Sequence, residues 1–281
     1  MKIGSYIYKG KTSYGVQVQS GIFDLGSRIG DKYPNLQILI RSFALAEANK
    51  LSSGKSPDFS QEDIIFLPLM PENINIYCAG INYLDHIQET GRTRPEKPTL
   101  FLKTYQSMVG HLENLVCPSA SKQYDFEGEL AVIIGKPGKN IAKDNWEDYV
   151  AGYTILMDGS VRDFQKVSVD QGKNFYHSSS LGPWLVTRDE CPNDFSELKL
   201  TTRLNSEVMQ SSDAGKLCFD VPELISYYSK IVHFQPGDII ATGTPGGVGS
   251  RRNPPIWMKN GDQIEIEISG LGTLSNTVID E

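Results

Sequence analysis

The residues YDFEGELAVIIG at 124–135, a loop rich in glycine and lysine, and YTILMDGSVRDFQ at 153–165 form the stretch from which the rest of the chain is read. Residues two apart share one face of a strand, so Glu127 and Glu129, at the mouth of the apolar run Leu130–Ile134, point the same way. Two carboxylates side by side in a partly dehydrated site repel, and one takes up a proton unless a cation holds both ionised. A second apolar run, Tyr153–Met157, ends in Asp158 and would bring a third carboxylate beside them if it paired with the first. Three carboxylates completed by water suit Mg²⁺ or Mn²⁺, one ion per chain. The competing reading is that Glu127 and Glu129 line the wet face of an edge strand.

Length and composition bound the rest. A chain of 281 residues can bury a sizeable core, and 39% hydrophobic with 22% charged residues is ordinary for a globular protein. The net charge of -7 and the lack of a basic patch argue against nucleic-acid binding. MKIGSYIYKGKT at the start has no long apolar core, and no run approaches membrane-spanning length, so no membrane association and a cytoplasmic location are expected. Cys78, Cys117, Cys191 and Cys218 are scattered without a CxxC, which indicates reduced thiols rather than a zinc site or a disulfide framework.

Residues 1–30 read as short strands with glycine-containing turns. Leu36, Leu39, Ile40, Phe43 and Ala46 then recur at the spacing of one helix, which dies at Leu51. SSGKSPDFSQED reads as a linker, so 1–69 is expected to be a small N-terminal domain with its linker and 70–281 the main one. After it, Tyr83–Glu89 and Val221–Val232 read as helices, the latter with Asp220 as N-cap and Pro222 at its start. Strands are expected at Thr99–Lys103, Trp184–Thr187, Asp238–Thr242, Gln263–Ile268 and Thr273–Ile279, with a hairpin near Asn205. The fold class is mixed α+β, strand-rich, without the regular alternation of a doubly wound sheet.

Several groups could do chemistry near the carboxylates. His86 and Glu89, three apart on a helical turn, can meet; a glutamate on one imidazole nitrogen fixes the tautomer and leaves the other free as a base. The alternative is a solvent-facing helix pair. Arg162 could take a substrate carboxylate bidentately or form a structural ion pair with Asp163 or a neighbouring acid, and Lys173 could be a second cation or a solvated loop residue. ATGTPGGVGS at 241–250 offers backbone N–H groups and hydroxyls to an anion, or is a plain turn; it is no nucleotide motif. His111, His177 and His233 lack an acidic partner at helical spacing and read as structural or loop residues, with His177 in the unusual NFYHSSS.

Taken together, GINYLDH followed by Glu89, then LFLK, DFEGELAVIIG, DGSVRDFQ, GKNF with LGPW, and PGDIIATGTPGGVG resemble the fumarylacetoacetate hydrolase superfamily, from about residue 70 to the end. The resemblance implies a mixed β-sandwich roll behind a small N-terminal α/β domain, and often a homodimer. It implies Glu127, Glu129 and Asp158 as metal ligands. His86 and Glu89 become a water-activating dyad assisted by Lys173. Arg162, Gln165, Tyr83, Lys103, Thr244 and Gly243 become substrate contacts. Where many relatives have Asn-Asp-Val-Ser, this chain has Met157, Asp158, Gly159 and Ser160, which puts the substrate rather than the metal site in question. The function so implied is metal-dependent hydrolysis of a C–C bond in a β-diketo acid such as an acylpyruvate, in aromatic or sugar-acid catabolism. Isomerisation, tautomerisation or decarboxylation of an oxo acid through the same enolate is the alternative, and a metal-dependent dicarboxylate-binding protein the non-enzymatic one. The segment 84–98, cationic at Arg92, Arg94 and Lys97 and broken by Gly91 and Pro95, reads as either a lid or a surface loop.

Overall fold

The computed structural model describes residues 1–281 and is mixed α+β, dominated by strands. The Gly128–Ile134 strand lies inside a twelve-stranded sheet. It pairs antiparallel with Val150–Met157 on one side, Gly128 opposite Met157, and with Ile239–Ala241 on the other. Pairing with two neighbours rules out the edge-strand reading. Every residue of the strand is buried: Leu130, Val132 and Ile134 enter one core while Ala131 and Ile133 enter the other. A strand covered on both faces reads as a continuous apolar run, which is why ELAVII shows no alternation.

The two cores are built differently. On one face a five-stranded sheet, containing Lys199–Leu204, Gln263–Ile268 and Gly272–Asp280, supplies Leu200, Ile264, Ile266 and Leu274. On the other face the N-terminal helices supply Leu36, Leu39, Ile40 and Ala48. Those helices are two, Leu36–Arg41 and Leu45–Ser52, where the periodicity predicts one. Phe43, in the left-handed region at φ 56° and 68% exposed, breaks the run. The break shifts the buried face: Leu36, Leu39 and Ile40 are buried as the spacing predicts, but after the turn Ala44 and Ala48 are buried while Phe43 and Ala46 are exposed.

The stretch read as a linker carries structure. Phe59–Ser60 pairs with Gly21–Ile22, and Ile64–Phe66 pairs with Tyr6–Tyr8. Across the boundary expected near residue 70 the hydrogen bonds are continuous, because Lys2–Tyr8 is the neighbour of Ser179–Thr187 in the large sheet. Farther along, Asn205 and Ser206, both at positive φ, form the two-residue hairpin between Lys199–Leu204 and Glu207–Asp213. Asp220 caps Val221–Tyr228 by accepting from Glu223 N. No helix is long and apolar enough to cross a membrane.

His111 belongs to this framework. Its Nδ1 accepts from Ser275 N at 3.0 Å, and its ring stands edge-on to Phe66 at 5.0 Å. Burial lowers its pKa to about 4 from the 6.5 of a free imidazole. The unfolded chain therefore binds a proton that the native chain refuses as pH falls below 6.5, and stability declines between pH 6.5 and 4. With the ring only partly buried, the loss is about 1–2 kcal/mol. Urea unfolding at pH 7 and pH 5 should show it in the native protein, and His111→Gln, which keeps an acceptor for Ser275, should remove most of the pH dependence attributable to this position.

Candidate active site

The antiparallel pairing of Gly128 with Met157 sets Asp158 beside Glu127, whose carbonyl accepts from Asp158 N at 2.8 Å. Glu127, Glu129 and Asp158 are all buried, and each offers a carboxylate oxygen within 4.8 Å of the others. Three cations meet them. Lys173 Nζ donates to Glu127 Oε2 at 2.6 Å and to Asp158 Oδ2 at 2.7 Å; Lys103 Nζ lies 2.7 Å from Asp158 Oδ1 and also donates to the Lys173 carbonyl. Arg162 Nη2 lies 2.7 Å from Glu127 Oε1, close but off the line of a hydrogen bond.

These contacts divide the carboxylates electrostatically. Burial pushes the Glu127 carboxyl up, but Lys173 and Arg162 outweigh it and hold the group well below the usual range. Glu129 receives a backbone donor, Gly243 N at 2.8 Å, and forms no ion pair; burial, then Asp158 and Glu127, drive it well above the usual range. With Asp125 included, four buried carboxylates face three cations. A buried, all-oxygen set in which Glu129 is pushed toward its protonated form for want of a cation fits a hard divalent ion, and Glu127, Glu129 and Asp158 are the residues that would hold it.

Asp125 is the residue that sequence reasoning missed. It is fully buried and accepts from Arg162 Nε at 2.7 Å, Phe126 N at 2.9 Å, Gly249 N at 2.8 Å and Ser250 N at 3.0 Å. The two-residue spacing that groups Glu127 with Glu129 extends back to it, so the signal was present. Arg162 spends its remaining Nη1 on Gln165 Oε1 at 2.9 Å, which leaves its fork engaged with protein groups.

The helix Leu84–Thr90 brings the dyad. His86 Nδ1 lies 3.0 Å from Glu89 Oε2, and Gly247 N donates to the other oxygen, Oε1, at 3.0 Å. A carboxylate only accepts, so Nδ1 carries the proton and Nε2 is left for the cavity. The loop 242–250 therefore does bring N–H groups to anions, but the anions are the protein's own: Glu129, Glu89 and Asp125. Its glycines are required. Gly243 and Gly247 have φ of 97° and 101°, and a Cβ on Gly247 would sit 2.2 Å from the Met209 carbonyl. Thr244 Oγ1 donates to Gly128 O at 3.0 Å and accepts from Gln210 Nε2 at 2.8 Å.

A cavity of about 660 Å³ opens onto His86, Glu127, Glu129, Lys173, Arg162, Gln165 and Thr244. Tyr83, Lys103 and Gly243 do not line it; Lys103 and Gly243 stand behind the wall, on Asp158 and Glu129. Tyr83 is fully buried with its hydroxyl unpartnered. His177, stacked on Tyr176 at 3.7 Å, and His233 are also away from the cavity. Within the segment 84–98, Arg92 lines the cavity, whereas Arg94 donates to Cys218 O at 2.8 Å and lies over the Phe219 ring.

The family model described as fumarylacetoacetate (FAA) hydrolase C-terminal matches residues 75–279. The chain belongs to the fumarylacetoacetate hydrolase family. It is 39% identical over 239 residues to an oxaloacetate tautomerase of Rattus norvegicus, named as mitochondrial, covering 84% of this chain and 76% of that one. A fumarylacetoacetate hydrolase from Exiguobacterium antarcticum superposes with TM-score 0.87 at 31% identity, covering 100% of both chains. A maleylpyruvate hydrolase from Sphingobium, solved with manganese(II) and pyruvate, superposes with TM-score 0.83 at 28% identity, over 100% of this chain and 99% of that one. The family thus includes hydrolases and tautomerases alike.

Two outcomes follow. Mn²⁺ at 100 times its Kd should stabilise the native protein by about 2.7 kcal/mol, read as a rise in Tm. Glu129→Gln keeps an acceptor for Gly243 N and relieves the crowding of charge, so the metal-free variant should melt no lower than native and lose the Mn²⁺ shift. Asp125→Ala leaves the Arg162 guanidinium and two loop N–H groups without their acceptor and should cost about 3–5 kcal/mol in denaturant unfolding.

Proposed function

We propose that this protein interconverts the keto and enol forms of a small 2-oxo acid of the oxaloacetate class, in a site that holds Mg²⁺ or Mn²⁺ on Glu127, Glu129 and Asp158. The observation that carries the reading is His86, on the cavity wall with Glu127 and Glu129, its Nδ1 committed to Glu89. Passing from keto to enol, the acid loses a proton at C3 and gains one on the C2 oxygen. His86 Nε2 takes the first and returns the second, and Glu89 steadies the imidazolium between the two transfers. When bound, the metal would polarise the 2-oxo group as a Lewis acid. Lys173 and Arg162 keep Glu127 ionised by direct charge. The rat relative, at 39% identity, is named for this reaction, which supports placing it first.

Hydrolysis of a C–C bond in a β-diketo acid is the second reading. A cavity of about 660 Å³ is roomier than a four-carbon acid needs, and the same His86 could aim a water at a carbonyl.

The test follows enol oxaloacetate by its ultraviolet absorbance with Mg²⁺ or Mn²⁺, beside pyruvate release from acylpyruvates. Loss of enol well above the spontaneous rate is expected. His86→Ala should lower kcat by about 10²–10⁴-fold while the Mn²⁺ shift in Tm persists. Faster cleavage of acylpyruvates than ketonisation would make hydrolysis the main activity. Oxalate binding without turnover of either would leave a binding protein.

A further inference from the structure

Five cationic side chains line the cavity, and they fall into two groups. Arg162 and Lys173 are deep and paired with Asp125, Glu127 and Asp158. Arg92, Lys166 and Arg251 are exposed and have neither an ion pair nor a side-chain hydrogen bond. They come from three separate segments: Arg92 after the helix Leu84–Thr90, Lys166 at the end of Arg162–Gln165, and Arg251 at the end of the turn Gly249–Arg251. Their neighbours in sequence are used structurally. Arg94 holds the Cys218 carbonyl, and Arg252 holds those of Met209 and Gly247. The acids on the cavity wall are Glu127 and Glu129, both buried at its floor. What sets these three apart from other unpaired surface cations is that all of them line one cavity whose only acids are buried.

The geometry points to a subsite at this mouth for the second carboxylate of a dicarboxylic 2-oxo acid, with Lys166 and Arg251 as its specificity-determining residues and Arg92 joining them. The assignment rests on reading the cavity as a 2-oxo acid site. The floor would take the 2-oxo carboxylate end and is the same for mono- and dicarboxylic acids; the mouth distinguishes them. Each exposed charge is weak alone in water and screened over about 8 Å at physiological salt, so discrimination comes from the three acting on one anion and must fade as salt rises.

The experiment compares 2-oxoglutarate with 2-oxopentanoate, five-carbon acids that differ only in the terminal carboxylate, by titration calorimetry on the Mn²⁺-loaded protein. At low salt the dicarboxylate should bind about 10-fold more tightly, and 0.5 M NaCl should remove most of that margin. Lys166→Ala with Arg251→Ala should bring the two acids to similar affinity by weakening the dicarboxylate, with 2-oxopentanoate little changed; both positions are exposed, so folding is not at stake. Arg251→Glu should reverse the preference. Equal binding of both acids by the native protein, or a margin that survives the double variant, overturns the subsite and leaves the 2-oxo acid reading standing. If neither acid binds while Mn²⁺ still raises Tm, both fall together.

Discussion

Four carboxylates, Asp125, Glu127, Glu129 and Asp158, are buried within one site, and their repulsion is the constraint that the surrounding structure answers. Charges removed from water repel strongly and are tolerated only when paired and hydrogen-bonded. The fold brings the pairing groups from far along the chain: Lys103 from the end of a strand, Lys173 from the end of a short helix, Arg162 from the turn after Asp158. Asp158 and Glu127 share Lys173, and Asp125 takes Arg162. Glu129 alone of the four has no ion pair, and burial with its two acidic neighbours holds it toward the protonated form, so the set is one cation short beside the cavity.

The glycine-rich loop is the second half of that answer. Gly243 N, Gly247 N and Gly249 N donate to Glu129, Glu89 and Asp125 in turn. One backbone segment therefore sets the positions of a candidate metal ligand, the partner of the candidate base and the anchor of Arg162. Backbone donors cannot change rotamer, which makes them suited to fixing relative positions. The loop is held in its own place by Thr242 on Leu130 O, Thr244 on Gly128 O and Gln210 on Thr244 and Pro245.

The sequence made the local features legible and hid the long-range ones. The two-residue spacing of Glu127 and Glu129 and the three-residue spacing of His86 and Glu89 report short-range geometry, so both groupings reappear as contacts. Thr99–Lys103 and the Asn205 hairpin were legible for the same reason. Nothing local to Lys103 reveals that Asp158 lies opposite it, or that Arg162 would meet Asp125 rather than Asp163. The single helix expected over 36–51 failed at Phe43, where a left-handed turn ends the first helix and changes the register, so that Ala44 and Ala48 rather than Phe43 and Ala46 reach the core. The polar 52–63 segment looked like a linker because its strand is two residues long, too short to show alternation.

Relatives of this chain are named for different reactions, and the layout of this cavity offers a physical reason why one fold can serve them. Under the proposed function, charge stabilisation and proton transfer fall to groups locked by the sheet and the glycine loop, which would leave them little changed from one acid to another. Choice of acid must then arise where the protein is less constrained. In the proposed subsite that is the cavity mouth, built from chain that follows the dyad helix, the end of the Arg162 turn and the turn after the glycine loop. None of these contributes a ladder hydrogen bond to the large sheet, so side chains there can change without disturbing the buried charge balance. A rigid anionic floor beneath an exposed cationic mouth would let one fold keep its proposed proton chemistry while exchanging its substrate.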